Sequence, residues 1–388
     1  MIGRGKVLLA FHIYERLQHQ SKMSSSASLF TCRWGILATG GIAKVFCADL
    51  LAPVEARSVQ DVRHQVKAVA SSSSSQKAQA FIDAVDGLAA HMPKAYGSYA
   101  EMVADPNVDI VYVATPHAFH YRDVILCLEH GKHVLCEKPF TINGKQAERI
   151  FSVAKEKNLF VMEAVWTRFF PLVAELRDLV HRQKILGKVR RVQSDLSCYF
   201  PPDPKHRLYA PELGGGALLD LGIYALTWQS LFLHRHPDNK AAQPRISSSM
   251  IRTKLTDVDE ATSIVLSFDE LGAQGGASCS MMYNQPEPAV TISGEKGDIT
   301  IQRDPFRPRA YTLHTKDKDG KYIDSRTKEF DIPGHGMFWE ADACARALRD
   351  GKLEAEQCAH ADTLFTMRVM DEARAQGRFR YPESLEAL

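Results

Sequence analysis

The stretch RWGILATGGIAKVFCADLL, Arg33 to Leu51, decides how the rest of the chain is read. RWGIL is a short apolar run suited to a buried strand, Ala38 to Gly41 make a tight turn, and IAKVFCADLL spaces its apolar residues for a helix. A strand turning directly into a helix is the opening unit of a parallel, doubly wound sheet. The turn fits a relaxed GxGxxG/A fingerprint with Ala38 where the first glycine is usual. Thr39, Gly40, Gly41, Ile42 and Ala43 are therefore candidate dinucleotide contacts. Gly40 lets the backbone approach a pyrophosphate, Ala43 allows close helix packing, and the helix N-terminus attracts negative charge. Alone, such a turn is only a tight connection; its place on the first strand of an alternating series favours the ligand.

The series continues with VKAVAS (66–71) and QKAQAFIDAV (76–85), DIVYVAT (109–115) and FHYRDVILCLEHG (119–131), then HVLCE (133–137) and KQAERIFSVAKEKN (145–158). LFVMEA (159–164) closes it, so residues 31–164 are expected to form a Rossmann domain. Beyond Val165 the texture changes. After the amphipathic PLVAELRDLVHR come KVRRVQSDLSCYF, PRISSSMIRT, ATSIVLSF, GGASCSMMY, AVTISG, DITIQ and AYTLHTK, joined mostly by turn-like links. The helix LLDLGIYALTWQSLFL interrupts them early, and helices over 338–350 and 360–377 end the chain. Residues 165–388 are thus expected to form an α+β domain with a mostly antiparallel, open-faced sheet, giving an α/β protein overall.

Composition sets the outer limits. A chain of 388 residues exceeds what one core usually holds, which agrees with two domains. With 48 Lys and Arg against 46 Asp and Glu, and no basic stripe, nucleic acid is not an expected partner. The eight cysteines never form a CxxC pair, which argues against structural zinc and suits free thiols in a reducing cytoplasm. Residues 1–30 read as an extension without fixed structure. Their apolar run, Val7 to Phe11, is short and is followed by Tyr14, Glu15 and Arg16, unlike a secretory signal; a mitochondrial presequence is the weaker alternative. No later segment approaches the roughly 20 apolar residues that cross a bilayer.

The end of the second strand bears on cofactor choice. An NAD site usually puts a carboxylate there for the ribose 2′-hydroxyl. Here stand Ser71, Ser72, Ser73, Ser74 and Ser75, followed by Lys77. Serine hydroxyls and turn amides donate to a 2′-phosphate, Lys77 adds positive charge, and no carboxylate repels it, so NADP is expected over NAD. A flexible polar loop is the plain alternative.

Two further places carry reactive side chains. Lys138, in CEKP, follows an apolar strand at the carboxyl end of the parallel sheet, where ligands bind in such folds. GGGALLDLGIYAL puts three glycines before a helix bearing Asp220 and Tyr224 four residues apart, on one face. Separately, each reads as a surface lysine or an ordinary amphipathic helix.

Together, ATGGIA, VATPHAFH, CEKP and GGALLDLGIY resemble the Gfo/Idh/MocA oxidoreductase family from about Cys32 to the last helix. Within it, EKPF, FVMEAVWTRFFP, GGALLDLGIYALTW and GHGMFWEADACA are similar to the dihydrodiol dehydrogenase and fungal NADP-dependent D-xylose 1-dehydrogenase branches. The resemblance implies a nicotinamide between the domains, a cis bond before Pro139, and a homodimer through the C-terminal sheet. It implies catalysis by Tyr224 as base with Lys138 as the cation favouring its phenolate, and Asp220 holding Lys138 or a substrate hydroxyl. Thr115, Pro116, His117, His120 and Glu137 are expected beside the cofactor, although a helix-start histidine without a ligand is the ordinary reading of His120. Trp166, Arg168 and Phe169 are expected in the substrate pocket, with His335 and Trp339 as weaker candidates. The chemistry needs no metal. Oxidation of a sugar hydroxyl, D-xylose at C1, is the leading expectation; a cyclic trans-diol is the rival substrate, and a dinucleotide-binding regulator the rival class.

Overall fold

The computed structural model describes residues 29–388, so the expected extension over 1–30 falls almost wholly outside the described residues. Six strands, β1 (Phe30–Leu37), β2 (Val62–Ala70), β3 (Lys94–Tyr96), β4 (Ile110–Val113), β5 (His133–Glu137) and β6 (Val161–Ala164), form one sheet in the order β3-β2-β1-β4-β5-β6. Every pairing in it is parallel. β4 and β6 are buried along their whole length because helices cover both faces; β4 reads as an unbroken apolar run, and the one charged residue of β6, Glu163, has its carboxylate paired with the Phe140 amide and the Thr363 hydroxyl. The strand order reverses between β1 and β4, and ligands bind at the carboxyl ends of strands at such a point. The turns after Leu37 and Val113 flank that crevice.

Eight strands make the second sheet: β7 (Val189–Ser197), β8 (Arg245–Arg252), β9 (Asp259–Phe268), β10 (Ala273–Ser280), β11 (Val290–Gly294), β12 (Gly297–Ile301), β13 (Ala310–Lys316) and β14 (Tyr322–Glu329). Their order is β14-β13-β12-β11-β7-β10-β9-β8, antiparallel except where β10 runs parallel to β7. Along β9, Ile264, Leu266 and Phe268 are buried while Ser263 and Val265 are exposed, the alternation of a sheet covered on one face. β14 escapes a reading by hydrophobic pattern because all of it is exposed.

The covered face receives a long helix that begins with a π-helical turn, Leu218–Gly222, continues as Ile223–Gln229 and ends in a second π turn, Ser230–His234. The 24-residue helical stretch Pro211–His234 contains an 18-residue window with a mean hydropathy of 1.2, long and apolar enough by length and composition to span a bilayer, which corrects the expectation that no such segment exists. Its apolar window is wholly buried within the protein.

The Phe338–Arg349 helix does not stay with the sheet that precedes it. Met337, Ala341, Cys344 and Ala345 pack with Trp34, Phe46 and Val66 in the core of the first sheet. Asp342 anchors it there through an ion pair with Arg57 and a 2.8 Å contact to His64 Nε2, all three side chains buried. The expected division at 164/165 would assign this helix to the second domain, but the first domain's core contains it.

Candidate active site

A cleft of about 530 Å³ opens at the crevice between β1 and β4, with walls from both domains. Gly40, Gly41 and Ile42 line it from the first turn, Ala114 to His117 from the second, Glu137 and Lys138 from the end of β5, and Trp166 from just past β6. Arg207, Leu213, Asp220, Tyr224 and Met337 complete it from the second half of the chain.

Backbone conformation explains the first turn. Ala38 adopts φ 89°, a region glycine enters freely and L-residues do not, so the fingerprint's missing glycine leaves its conformation behind. A Cβ at Gly40 or Gly41 would meet nothing within 4 Å, so the turn borders open space. Gly40 precedes the Gly41–Leu50 helix without any side-chain cap, leaving the first amides free for an anion. Ala43 is fully buried and packs in the core.

Lys138 and Asp220 meet across the cleft. Lys138 Nζ donates to the Asp220 carbonyl oxygen at 2.8 Å and approaches its Oδ1 at 3.3 Å, from a residue whose bond to Pro139 is cis. Arg207 grips the same carboxylate with two donors, at 2.9 and 3.1 Å. Burial alone would raise the Asp220 pKa, but Lys138 and Arg207 overcome it and hold the carboxyl well below the usual range. Lys138 Nζ also lies 4.9 Å from the centre of the Tyr224 ring, and Trp166 Nε1 donates to the Tyr224 hydroxyl at 3.0 Å. Phe306 packs on both Trp166 and Tyr224, with ring centres 6.1 and 5.6 Å away.

Tyr224 departs from expectation in its acidity. Burial, and then the nearby Glu137, push its pKa well above the ordinary phenol value, so the lysine over its ring does not make it a phenolate in the free protein. Glu137 accepts hydrogen bonds from the Tyr112 hydroxyl and the Lys138 amide, and burial raises its pKa. His117, whose Nε2 lies 2.6 Å from the Gly214 carbonyl, is lowered to about 4 by burial and stays neutral. Thr115 Oγ1, at the cleft wall, is buried without a hydrogen-bond partner.

Residues 32–165 match the oxidoreductase family with an NAD-binding Rossmann fold, and residues 173–300 match the C-terminal domain of the same family. The chain belongs to the Gfo/Idh/MocA oxidoreductase family. Among its members, the D-xylose 1-dehydrogenase (NADP(+)) of Hypocrea jecorina is 45% identical over 382 residues, covering 92% of this chain and 95% of that protein. The trans-1,2-dihydrobenzene-1,2-diol dehydrogenase of Sus scrofa is 34% identical over 352 residues, covering 90% and 98%. In fold, the chain is similar to the aldose-aldose oxidoreductase of Caulobacter crescentus, with a TM-score of 0.73 at 22% identity, covering 90% and 98%.

Not every expected contact of a Gfo/Idh/MocA site lies in the cleft. Ser71, Ser72, Ser73 and Lys77 are outside its lining but on the same sheet edge, since the Ala38 amide bonds the Ala70 carbonyl at 3.1 Å. Ser71 and Ser73 hydroxyls pair at 3.0 Å, and Ser74 caps the Ser75–Ala84 helix by accepting from the Lys77 amide. His120 is buried, its ring nitrogens each 2.9 Å from a carbonyl, of Pro139 and of Thr115. Arg168 corrects the pocket expectation: it is buried, donates to Ser230 Oγ at 2.9 Å and faces Asp362 at 3.7 Å, so it braces the long helix. Phe169 packs in the first domain's core and Trp339 against Phe170, while His335 sits exposed near Asp49. Arg207 and Met337 were missed, because loop residues outside any periodic pattern carry no signal of which way they face.

Proposed function

We propose that this protein oxidises an aldopentose, D-xylose first, at C1 to the lactone with NADP as acceptor. The observation that carries the reading is the meeting of Lys138, Asp220 and Tyr224, drawn from both domains, beside an uncapped glycine turn. The choice of sugar and cofactor is supported by the 45% identity to the fungal enzyme.

The residues present fit a dinucleotide: open Gly40 and Gly41, a free helix N-terminus, the unpartnered Thr115 hydroxyl, and a serine edge with Lys77 in place of a carboxylate. Bound NADP supplies the hydride acceptor. Tyr224, once its proton has passed to solvent, takes the proton of the C1 hydroxyl through Oη as the C1–H bond breaks with its electron pair, leaving the lactone carbonyl. Trp166 Nε1–H steadies the charge on Oη, and the Lys138 ammonium above the ring lowers its cost. Arg207 keeps Asp220 ionised, and Asp220 keeps Lys138 in place.

The aromatic wall of Trp166, Phe306 and Tyr224 also suits a flat cyclic trans-diol, the substrate type of the animal relatives. Initial rates of NADPH formation on xylose, glucose and a cyclic trans-diol separate the two. Fastest turnover on xylose is the expected result, preference for the diol selects the second reading, and no turnover on any of them removes the enzymatic one. The reading includes a cytoplasmic setting, supported by eight free cysteines, and pairing with a second copy through the second sheet.

A further inference from the structure

The loop that enters the Asp220 helix is gripped on three sides. His117 Nε2 lies 2.6 Å from the Gly214 carbonyl, Tyr381 Oη donates to the Gly215 carbonyl at 2.7 Å, and the Leu218 amide donates to Asp259 Oδ2 at 2.7 Å. Only residues without side chains fit: a Cβ at Gly214 would stand 2.6 Å from the His117 ring, at Gly215 2.7 Å from the Leu208 carbonyl, and at Gly216 2.1 Å from Asp259 Oδ1. His117 belongs to the first domain and Asp259 to β9. Tyr381 comes from elsewhere, on a segment that follows the His360–Gln376 helix.

The rest of that segment reaches the chain just after Lys138. Gln146 Nε2 donates to the Leu385 carbonyl at 2.7 Å and to the Ala387 carbonyl at 2.8 Å, and Asn143 Nδ2 donates to the Glu386 carbonyl at 3.0 Å. Arg374 donates to the Ile142 carbonyl at 3.1 Å, pairs with Glu386 at 2.6 Å, and lies 5.2 Å from the Tyr381 ring centre. The Tyr381 amide donates to Glu386 Oε1 at 2.9 Å, so the segment closes on itself with the tyrosine buried.

We propose that Tyr381 is a positioning residue for the Lys138–Asp220 pair, tying the loop before Asp220 to the chain after Lys138 through residues 379–387. The proposal rests on the dehydrogenase reading above. The two partners arrive from opposite domains, and their 2.8 Å contact survives only if both approaches are fixed. The strap fixes both at once. Loosening it displaces Asp220 and Tyr224 from Lys138 while leaving the nucleotide turn untouched, an error that lowers turnover more than affinity.

Tyr381→Phe removes one hydroxyl and keeps the ring. It is expected to lower kcat about tenfold, with KM for the sugar and the Kd for NADPH, read by fluorescence, within about twofold. Amide hydrogen exchange across residues 214–220 is expected to quicken. Gln146→Glu keeps the acceptor for the Ile142 amide and loses both donors to the segment, so kcat falls in the same direction; it carries the test if Tyr381→Phe does not fold. Combined, the two changes are expected to lower kcat by less than the product of their separate effects, because they cut one strap. A kcat within twofold of wild type in the folded single variants overturns the proposal, whatever the exchange shows. If the wild-type protein turns over no substrate in the panel, the dehydrogenase reading fails instead; unchanged exchange at 214–220 then overturns the strap as well.

Discussion

Tyr224 holds its proton into the alkaline range because burial and Glu137 both disfavour the phenolate. With Tyr224 as the proposed base, oxidation consumes the phenolate and reduction the phenol, which fixes the sign of the pH dependence. The kcat/KM for sugar oxidation is expected to climb about tenfold per pH unit from pH 7 towards 10, while that of the reverse reaction stays level, because the phenol remains fully populated over that range. A plateau reached below pH 8 would count against Tyr224 as the base. Tyr224→Phe is expected to lower kcat by roughly 10² to 10⁴, with NADPH binding retained. Lys138, Asp220 and Tyr224 were legible because each sits at a position the strand and helix pattern fixes. Arg207 was not, although it holds Asp220 with two donors, because nothing in HRLYAPEL tells which side chain turns inward. Arg168 was misread for the converse reason: adjacency to β6 says nothing of the Ser230 and Asp362 partners that draw it away from the cleft.

The helix carrying Asp220 and Tyr224 depends on Asp259, whose carboxylate takes the Leu218 amide at its first turn. Burial pushes the Asp259 pKa up to about 6, and its Oδ1 has no partner. The unfolded value is near 4, so the folded protein binds the extra proton between those limits. Stability from this group is present in full below about pH 4 and is lost as the pH rises through about 6. Asp259→Asn keeps an acceptor for Leu218 and cannot ionise. Its stability relative to wild type is therefore expected to improve by up to about 3 kcal/mol between pH 4 and 8, read as the difference in unfolding free energy. A difference that stays constant across that range would show that Asp259 does not titrate there. Element type was easy to read at β4, a continuous apolar run, and hard at β3, only three residues long, at β14, which buries nothing, and at the π turns, which leave no mark in the hydrophobic period.

At the scale of the whole molecule, the uncovered face of the second sheet presents Gln193, Asp195, Ser263, Val265 and Ser278, with exposed Tyr199, Met282 and Tyr283 at one end. The proposed pairing would join two copies through this largely polar face by hydrogen bonding around an aromatic edge. Sedimentation is expected to give about twice the 43.3 kDa chain mass, and Val265→Arg to return it to one chain. A wild-type protein that sediments as a single chain removes the dimer. The order of domains was readable from alternating strands and helices, but the return of Phe338–Arg349 to the first core was not, since contacts distant in sequence leave no local trace.

That return also governs when the protein can fold. A ribosome releases all six strands of the nucleotide-binding sheet long before the helix that seals Trp34, Phe46 and Val66. Until residues 338–349 have been made, one flank of β1 and β2 lacks its covering helix, so the sheet synthesised first is completed by a segment that follows the whole second sheet.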